Sequence, residues 1–525
     1  MRPRGRRERQ AGLIIQGAGR TDAVRERADV VVVGTGSGGG TLAAYLAERG
    51  WDVVMVEKGG FHRAEDFSQR EEDAMADFNG RRGLDATVDN AVFLNYAEAV
   101  GGCTVHYWGD SFRTPTDRLA RWRGEHGLDW MIESELDPHW ESIEKELGIH
   151  VTPERLFNEN NRLVREGCEK LGIEGHAPPT ARVDCIGCGW TQFGCPYNRK
   201  TSQLITTIPR VSKAGGRIYS DARVMKLLMA GDRVAGVEAA LVDRATKSAT
   251  GTLRVDAPIV VLAGGALGTA DILLRNVSDD VVGRRFYINP HYFVWADFGR
   301  EIDNVTGVPC AYVVHGFRHV QRDSRGDYAG GGYIMLSNHQ SPAIAGVMLS
   351  GIGAAHTDRM KRYRQLGSVM SVIDEEHPGR VFLGRDGVRR TEFTVKGVDQ
   401  LKAVDYLKNA SRIFLAAGAR EVWIPDVFGT TVRNESDIAR IGVRSVQPNA
   451  QFCAGSHLMG TAPMGSDPAD SFAGPTGEAH RVRGLYVADG AALPGSVSVD
   501  PSLTIMGVAR HIAAGLHERR GRAGA

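Results

Sequence analysis

The hydrophobic pattern of residues 28 to 60 predicts a strand, a helix and a second strand. The runs Val30-Val-Val-Val33 and Val53-Val-Met-Val56 are short and continuously apolar, which is typical of strands buried on both faces of a parallel sheet. Residues 41 to 48 between them have the composition of a helix, and a glycine-rich turn precedes that helix. The segment therefore has the pattern of a βαβ unit.

The glycines of this turn predict a nucleotide site. In the pattern Gly34-Thr-Gly36-Ser-Gly-Gly39, the first glycine makes the tight turn and the second lets the backbone approach a pyrophosphate. The third lets the helix pack on the strand, with the phosphate at the helix N-terminus. Glu57 ends the second strand, where a carboxylate accepts hydrogen bonds from a ribose and disfavours a 2′-phosphate. This motif alone leaves FAD and NAD open.

Later apolar runs predict more elements of two kinds. Residues 260 to 274 combine a buried-strand pattern, a glycine turn and an amphipathic helix, and residues 483 to 494 contain another apolar strand. The middle of the chain carries short segments at residues 333 to 336 and 391 to 395. We predict these two as antiparallel strands.

Length and charge narrow the classes of function. A chain of 525 residues predicts two to four domains and room for a large cofactor. With 64 basic and 63 acidic side chains the net charge is +1, so we expect neither nucleic acid nor an acidic membrane surface as a partner. No window approaches the apolar length of a membrane span. We predict residues 1 to 27, which are rich in arginine, as a mobile tail, and a cytoplasmic location.

The cysteine spacing leaves a metal site possible but unfavoured. Seven cysteines do not describe a secreted disulfide scaffold. Cys185, Cys188 and Cys195 form a cluster that could hold zinc or an iron–sulfur cluster, but a closed site needs four ligands. We therefore predict a structural loop and no metal.

The C-terminal part of the chain suggests the chemistry. His457 lies in Ser-His-Leu-Met-Gly-Thr, and Asp500 follows in Val-Asp-Pro-Ser-Leu-Thr-Ile. This order and spacing resemble the flavin-facing end of the glucose-methanol-choline (GMC) oxidoreductases. The resemblance implies that His457 and Asp500 are the two catalytic residues. The family normally has Asn or His at the second position, and this chain has Asp.

A second segment resembles the family's flavin-contacting motif. It is Val100-Gly-Gly-Cys-Thr-Val-His-Tyr-Trp108, and the resemblance implies that Gly101, Gly102 and Thr104 contact the flavin. In pyranose oxidases, which have a similar segment, a histidine near this point can attach covalently to the flavin. Here that residue is His106, for which we expect either covalent attachment or, in preference, a packed and hydrogen-bonded position beside the ring.

Further similar segments complete the implied FAD site. The backbone near Val224 is expected to touch the adenine, and Asp489 and Gly490 to reach the ribityl chain and pyrophosphate. The passage from Val282 to His291 also resembles the family, but its histidine is displaced and we assign it no role.

The resemblance implies an α/β fold with a Rossmann-like FAD-binding domain and an interleaved α+β substrate domain on an antiparallel sheet, with the substrate pocket between them. The predicted FAD-binding domain comprises residues 28–114, 200–288 and 440–518, and the predicted substrate-binding domain residues 115–199 and 289–439.

The expected reaction is oxidation of an alcohol, with a hydride passing to flavin N5 and a proton leaving the hydroxyl. An imidazole suits the removal of the hydroxyl proton because its ordinary pKa lies near neutral pH. We therefore predict His457 as the base. Asp500 could orient His457 or share its proton, bind a substrate hydroxyl or ammonium, act as the base itself, or only cap a turn.

A carboxylate in the pocket favours a polar substrate such as a sugar, glycoside, cyclitol or aminosugar, with dioxygen or another carrier as electron acceptor. A non-redox lyase that uses His457 and Asp500 as acid and base is the alternative. The segments after the first glycine motif resemble flavin-contacting motifs, and they therefore disfavour an NAD-dependent dehydrogenase.

Overall fold

The computed structural model describes residues 14–524. Its centre is a six-stranded sheet in which every neighbouring pair is parallel. In spatial order the strands are Ile14–Gln16, Arg217–Ser220, Val53–Val56, Val30–Val33, Ile259–Leu262 and Leu485–Val487.

Burial on both faces explains the apolar runs of this sheet. All residues of Val30–Val33 and Val53–Val56 are buried. The helix Ser37–Glu48 packs against the long helix Ser502–Gly524, whose buried Leu503, Met506 and Ala509 recur at helical spacing. The predicted βαβ unit is confirmed, and its glycine turn lies at the carboxyl end of the first strand.

The N-terminal prediction was wrong for residues 14 to 27. Ile14–Gln16 pairs with Arg217–Ser220, and Ala23–Arg27 joins a four-stranded sheet with Ala222–Ala230, Arg233–Val242 and Ala249–Asp256. Ala23–Arg27 has the sequence AVRER and buries none of its side chains fully. Backbone hydrogen bonds to an existing edge hold it there, and apolar patterning does not reveal such a strand. The rest of the predicted tail lies outside the described residues.

A seven-stranded antiparallel sheet forms the second part of the molecule. In order its strands are Thr431–Val432, Glu421–Trp423, Phe293–Asp297, Leu366–Ile373, Tyr333–Ser337, Val313–Val314 and Gly175–His176. The helix Val398–Ala416 packs across this sheet and against Glu159–Leu171. The strand predicted at residues 333 to 336 is confirmed.

Two expectations for the second part need correction. The strand predicted at residues 391 to 395 is Arg389–Glu392, and it pairs with Arg380–Leu383 in a separate ribbon. The helices Thr116–His126 and Glu133–Leu147 were both assigned to the substrate domain, but the second of them packs against the long helix Ser502–Gly524. Trp140 Nε1 donates to the Leu503 carbonyl at 3.2 Å, so this segment packs with the nucleotide-binding part.

The remaining elements are short. The other helices are Glu71–Asp77, Thr207–Lys213, Gly265–Asn276, Pro342–Met348 and Ala354–Lys361. The other strand pairs are Phe93–Leu94 with Ala454–Gly455, His150–Val151 with Pro179–Thr180, and Gln321–Arg322 with Tyr328–Gly330. Across residues 14–524, no helix has both the length and the apolar character needed to span a bilayer.

Candidate active site

A single elongated cavity of about 480 Å³ connects the glycine turn with the C-terminal motif. It runs along the carboxyl ends of the parallel strands, where open α/β sheets bind their ligands. Most of the residues selected from the sequence line it: Gly34, Gly36, Glu57, Gly102, Thr104, Val224, His457, Asp489, Gly490 and Asp500.

The glycine turn has the geometry of a phosphate site. Gly34 has a φ of +102°, and a Cβ there would lie 2.1 Å from the Ala263 carbonyl oxygen, so only glycine fits. Gly36 is the N-cap of Ser37–Glu48, and no side chain caps this helix and no acid occupies its first turn. The free N–H groups at this end therefore face the cavity and suit an anion.

Gly39 has a packing role and does not line the cavity. A Cβ there would lie 2.2 Å from the Gly34 carbonyl oxygen, so the glycine lets the helix approach the turn as the motif predicts. A Cβ on neighbouring Gly38, which does line the cavity, would lie 1.8 Å from the Ala488 carbonyl oxygen.

Glu57 stands at the end of its strand with three hydrogen bonds already in place. Oε2 accepts from Thr35 N at 3.0 Å and Thr35 Oγ1 at 2.8 Å, and Oε1 accepts from Gly59 N at 2.9 Å. Burial raises the pKa of this carboxyl. A carboxylate offers about four lone-pair positions, so Glu57 can still accept a ribose hydroxyl.

The turn Gly102–Val105 brings one glycine and one hydroxyl to the cavity. A Cβ on Gly102 would lie 2.5 Å from the Gly36 Cα, so the two glycine motifs touch. Thr104 Oγ1 donates to the Gly101 carbonyl at 2.6 Å and lines the cavity, whereas Gly101 lies behind it with a φ of +101°.

His106 is not where the resemblance implied. It is buried, but Tyr107 and Trp108 line the cavity in its place. Burial and the nearby charge of Lys200 lower the pKa of His106 to about 3. This position gives no support to covalent attachment at His106.

Asp489 and Val224 both line the cavity wall. Asp489 Oδ2 accepts from Thr269 Oγ1 at 2.6 Å and Oδ1 accepts from Ala491 N at 2.8 Å. Burial raises the pKa of Asp489 to about 6, which is compatible with a neighbouring phosphate. Val224 lies on the strand Ala222–Ala230 next to an irregularity in its pairing.

His457 and Asp500 meet at the other end. His457 Nε2 lies 3.1 Å from Asp500 Oδ1, and the two side chains are 10% and 16% exposed. His457 follows the short strand Ala454–Gly455, and Asp500 precedes the helix that begins at Ser502. His457 Nδ1 and Asp500 Oδ2 are buried and have no hydrogen-bond partner. Two separate segments of the chain thus bring an imidazole and a carboxyl group into contact.

Two further residues of this site were not selected from the sequence. The ring of His291 stands edge-on to that of His457 with centroids 4.9 Å apart, and its Nε2 lies 2.7 Å from Ser456 Oγ. Burial lowers the pKa of His291 to about 3, so it is neutral. Asp110 lines the cavity and is 3% exposed. The feature of the sequence that could have indicated Asp110 is its position shortly after the second glycine motif.

The cysteine cluster has no metal-binding arrangement. Cys185, Cys188 and Cys195 are free thiols. In the part of the chain that the structure describes, no group of three or more His, Cys, Asp or Glu side chains could hold a metal ion.

Comparison with known families decides the class of this site. The family model for the N-terminal part of GMC oxidoreductases matches residues 11–290, and the model for the C-terminal part matches residues 382–509. The chain belongs to the GMC oxidoreductase family. It is therefore an FAD-dependent oxidoreductase that acts on CH–OH donors.

Individual relatives agree with this assignment. An uncharacterized GMC-type oxidoreductase of Mycobacterium tuberculosis is 30% identical over 498 residues, covering 93% of this chain and 75% of the relative. A long-chain-alcohol oxidase of Arabidopsis thaliana is 26% identical over 517 residues, covering 92% of this chain and 66% of the relative.

A solved structure shows the same fold. The crystal structure of pyridoxine 4-oxidase from Mesorbium loti matches with a TM-score of 0.69 at 16% identity, covering 93% of this chain and 99% of that chain. At this identity the likeness concerns the fold alone.

The cavity of this GMC oxidoreductase fits FAD. Its glycine turn and uncapped helix suit the pyrophosphate, Glu57 suits the ribose, and its far end reaches the His457–Asp500 pair. Gly34 and Gly38, where a Cβ would collide with the backbone of neighbouring strands, let the turn and helix that line this cavity pack closely on the sheet.

Proposed function

We propose that this enzyme oxidises a small polar alcohol and that the His457–Asp500 pair takes the hydroxyl proton. The observation that carries the proposal is the 3.1 Å contact between His457 Nε2 and Asp500 Oδ1 on the wall of the cavity that also contains the nucleotide motifs. A base within hydrogen-bond reach of a bound hydroxyl is the group that this reaction requires.

FAD, when bound, supplies the acceptor for the hydride that leaves the carbinol carbon. The protein must hold the hydroxyl and receive its proton. Nδ1 of His457 has no partner, so a proton on Nε2 is favoured because Asp500 can accept it there. Asp500 thereby fixes the imidazole plane, and the pair gains one proton when the alcohol is oxidised.

His291 supports the orientation of His457 from the other side. It is held by the Ser371 carbonyl at Nδ1 and by Ser456 Oγ at Nε2, both at 2.7 Å. A neutral ring at an edge-on contact adds no positive charge beside His457, so it does not oppose the arrival of a proton there.

Polar groups around the pair support a polar substrate. Asp110, Ser456, Asp500 and Ser502 all line the catalytic end, and such groups favour a substrate with more than one hydroxyl because unpaired polar groups penalise an apolar ligand. We infer a sugar, glycoside, cyclitol or aminosugar.

A long-chain alcohol is the second candidate. The similarity to the long-chain-alcohol oxidase of Arabidopsis thaliana favours this substrate. The apolar side chains of Trp108, Leu458 and Ile505, which line the same cavity, also favour it. The non-redox lyase alternative has no support from the comparisons.

Matched pairs of alcohols separate the two candidates. Purified holoenzyme is titrated anaerobically with a cyclitol and with cyclohexanol, and with a sugar and with a long-chain primary alcohol, while the visible absorbance of the flavin is followed. We expect bleaching by the polyhydroxylated member of a pair. Bleaching by the long-chain alcohol alone would refute the polar-substrate proposal.

A further inference from the structure

Residues 287–291, which we call the clamp segment, run beside the segment that carries the catalytic histidine and pair with it at both ends. Tyr287 and Met459 exchange backbone hydrogen bonds of 3.0 and 2.9 Å, and His291 and Ala454 exchange bonds of 2.8 and 3.1 Å. Between these two pairs the clamp segment has three residues and the catalytic segment has four. The catalytic segment therefore bulges between two fixed points.

The middle of the clamp segment is fixed by a buried carboxyl group. Glu375, which is 3% exposed, accepts at Oε1 from the backbone N–H groups of Ile288 at 2.6 Å and Asn289 at 2.9 Å. Its Oε2 lies 3.2 Å from Asn289 Nδ2. Asn289 has a φ of +49°, a left-handed conformation that asparagine tolerates better than most residues. These contacts hold the Asn289 side chain in one direction.

The side chain of Asn289 reaches the segment that leads to Asp500. Asn289 is buried, and its Nδ2 donates to Ser496 Oγ at 2.7 Å and to the Ile373 carbonyl at 2.9 Å. Ser496 Oγ also accepts from Ser498 N at 3.3 Å. Neither Asn289 nor Ser496 lines the cavity. Their effect on the site is therefore indirect, through the segments that they join.

The turn after Ser496 has a strained backbone. Ser498 has a φ of +65°, and a serine keeps a left-handed conformation only where its surroundings impose it. Ser498 Oγ accepts from Arg318 Nη1 at 3.3 Å, and Arg318 pairs with Asp117 at 2.7 Å. Asp500 follows two residues later, so a relaxation of the Ser498 backbone would move its carboxyl group.

We propose that the clamp segment sets the distance between His457 and Asp500, with Asn289 as the positioning residue that joins their two segments. Backbone pairing at its ends fixes the segment of His457, and the contact of Asn289 with Ser496 fixes the segment of Asp500. One short piece of the chain thus holds the imidazole and the carboxyl group at 3.1 Å. The catalytic consequence rests on the proposed function, because the distance affects the rate only if this pair receives the hydroxyl proton.

Crystal structures of the holoenzyme test the geometry without turnover. Asn289→Gly removes the side chain and keeps the left-handed backbone, which glycine adopts readily. We expect His457 Nε2 and Asp500 Oδ1 to separate beyond about 3.5 Å, the limit of a hydrogen bond. The matched control is Asn449→Gly, because Asn449 also has a left-handed φ, of +62°, and donates to the Asp89 carbonyl at 3.2 Å. An unchanged distance in Asn289→Gly would overturn the proposal.

A second variant keeps the test decisive if Asn289→Gly does not fold. Ser496→Ala removes the acceptor hydroxyl and leaves the backbone pairing of the clamp segment and its contacts with Glu375 in place. We expect the same separation of the imidazole and the carboxyl group. If their distance in Ser496→Ala matched that in the unaltered holoenzyme, the link through Asn289 would be refuted.

Kinetics of flavin reduction relates the geometry to the reaction. With an alcohol that bleaches the unaltered enzyme, Asn289→Gly should lower the limiting reduction rate about tenfold or more, since a misplacement of about 1 Å can cost ~10²-fold. The half-saturating alcohol concentration should stay the same, because Asn289 does not line the cavity. Asn449→Gly should reduce its flavin normally. A rise in the half-saturating concentration at an unchanged limiting rate would overturn the positioning role.

A double variant tests whether the two side chains act through one contact. Asn289→Gly combined with Ser496→Ala should be no slower than Asn289→Gly alone, because each substitution breaks the same hydrogen bond. A rate lowered by the product of the two separate effects would contradict the link. If no alcohol bleaches the flavin, the proposed function fails, and the crystal structures still decide whether the clamp segment sets the distance.

Discussion

Replacing His457 with alanine should slow flavin reduction by about 10²–10⁴-fold, the usual contribution of a positioned general base. The structure supports a value within this range. A protonated His457 beside Asp500, with charge centres about 4 Å apart in a partly buried site, is stabilised by roughly 4 kcal/mol. This is comparable with the ~3–5 kcal/mol that the rate change represents.

The variant should keep its fold and its FAD. The substitution leaves the glycine turn and Glu57 untouched, and Asp500, with 16% of its side chain exposed, can recruit water after the imidazole is lost. The assay is anaerobic stopped-flow reduction at saturating alcohol, with flavin content measured on the same sample.

A histidine outside the cavity provides the matched control. His480 is half-buried and contacts Ser471 Oγ at 3.0 Å and the Gly465 carbonyl at 3.2 Å. His480→Ala should reduce its flavin at the normal rate. If His457→Ala did so as well, the proton-accepting role of His457 would be refuted.

Three other predictions follow from the geometry. Gly38→Ala should purify without FAD or fail to fold, because its Cβ would lie 1.8 Å from the Ala488 carbonyl oxygen, whereas Gly124→Ala, with nothing within 4 Å and outside the cavity wall, should keep FAD; equal flavin content in both would contradict the packing role of Gly38. The raised pKa of Asp489 contributes stability that is complete below about pH 4 and is lost as pH rises through about 6. The free energy of unfolding of Asp489→Asn, relative to that of the unaltered protein, should therefore increase by up to ~3 kcal/mol between these two pH values. Parallel curves of unfolding free energy against pH would argue against it. His291→Ala should reduce its flavin about tenfold more slowly, as expected for loss of a hydrogen-bonded support, and added imidazole should restore part of the rate; a normal rate would remove His291 from the site.

The fold could be predicted where apolar periodicity and turn chemistry agree. The four valines of Val30–Val33 followed by glycines required a buried parallel strand and a tight turn. Ala23–Arg27 could not be found in this way because it is polar and depends on a partner strand distant in the chain. The helix Glu133–Leu147 was assigned to the substrate part because its amphipathic pattern does not specify which core it covers.

The site was predictable to the extent that local motifs determine it. Gly34, Gly36 and Glu57 lie in a segment whose spacing has a direct physical meaning, and His457 lies in one that resembles a family motif; the structure places all four on the wall of one cavity. His106 does not line the cavity, although Tyr107 and Trp108 after it do, because a motif resemblance does not specify which side chain after the turn faces the cavity. Asp110 was missed because it follows the second glycine motif without belonging to it, and only folding places it on the same cavity wall as Asp500.

The most direct test of alcohol oxidation by this site uses a substrate deuterated at the carbinol carbon. Holoenzyme is mixed anaerobically with saturating protonated or deuterated alcohol, and the single-turnover loss of flavin absorbance is followed. We predict bleaching with both substrates, several-fold slower with deuterium, because the C–H bond breaks as the hydride leaves. Persistent oxidised flavin with every alcohol, or a rate that is insensitive to deuterium, would contradict hydride transfer at the His457–Asp500 site.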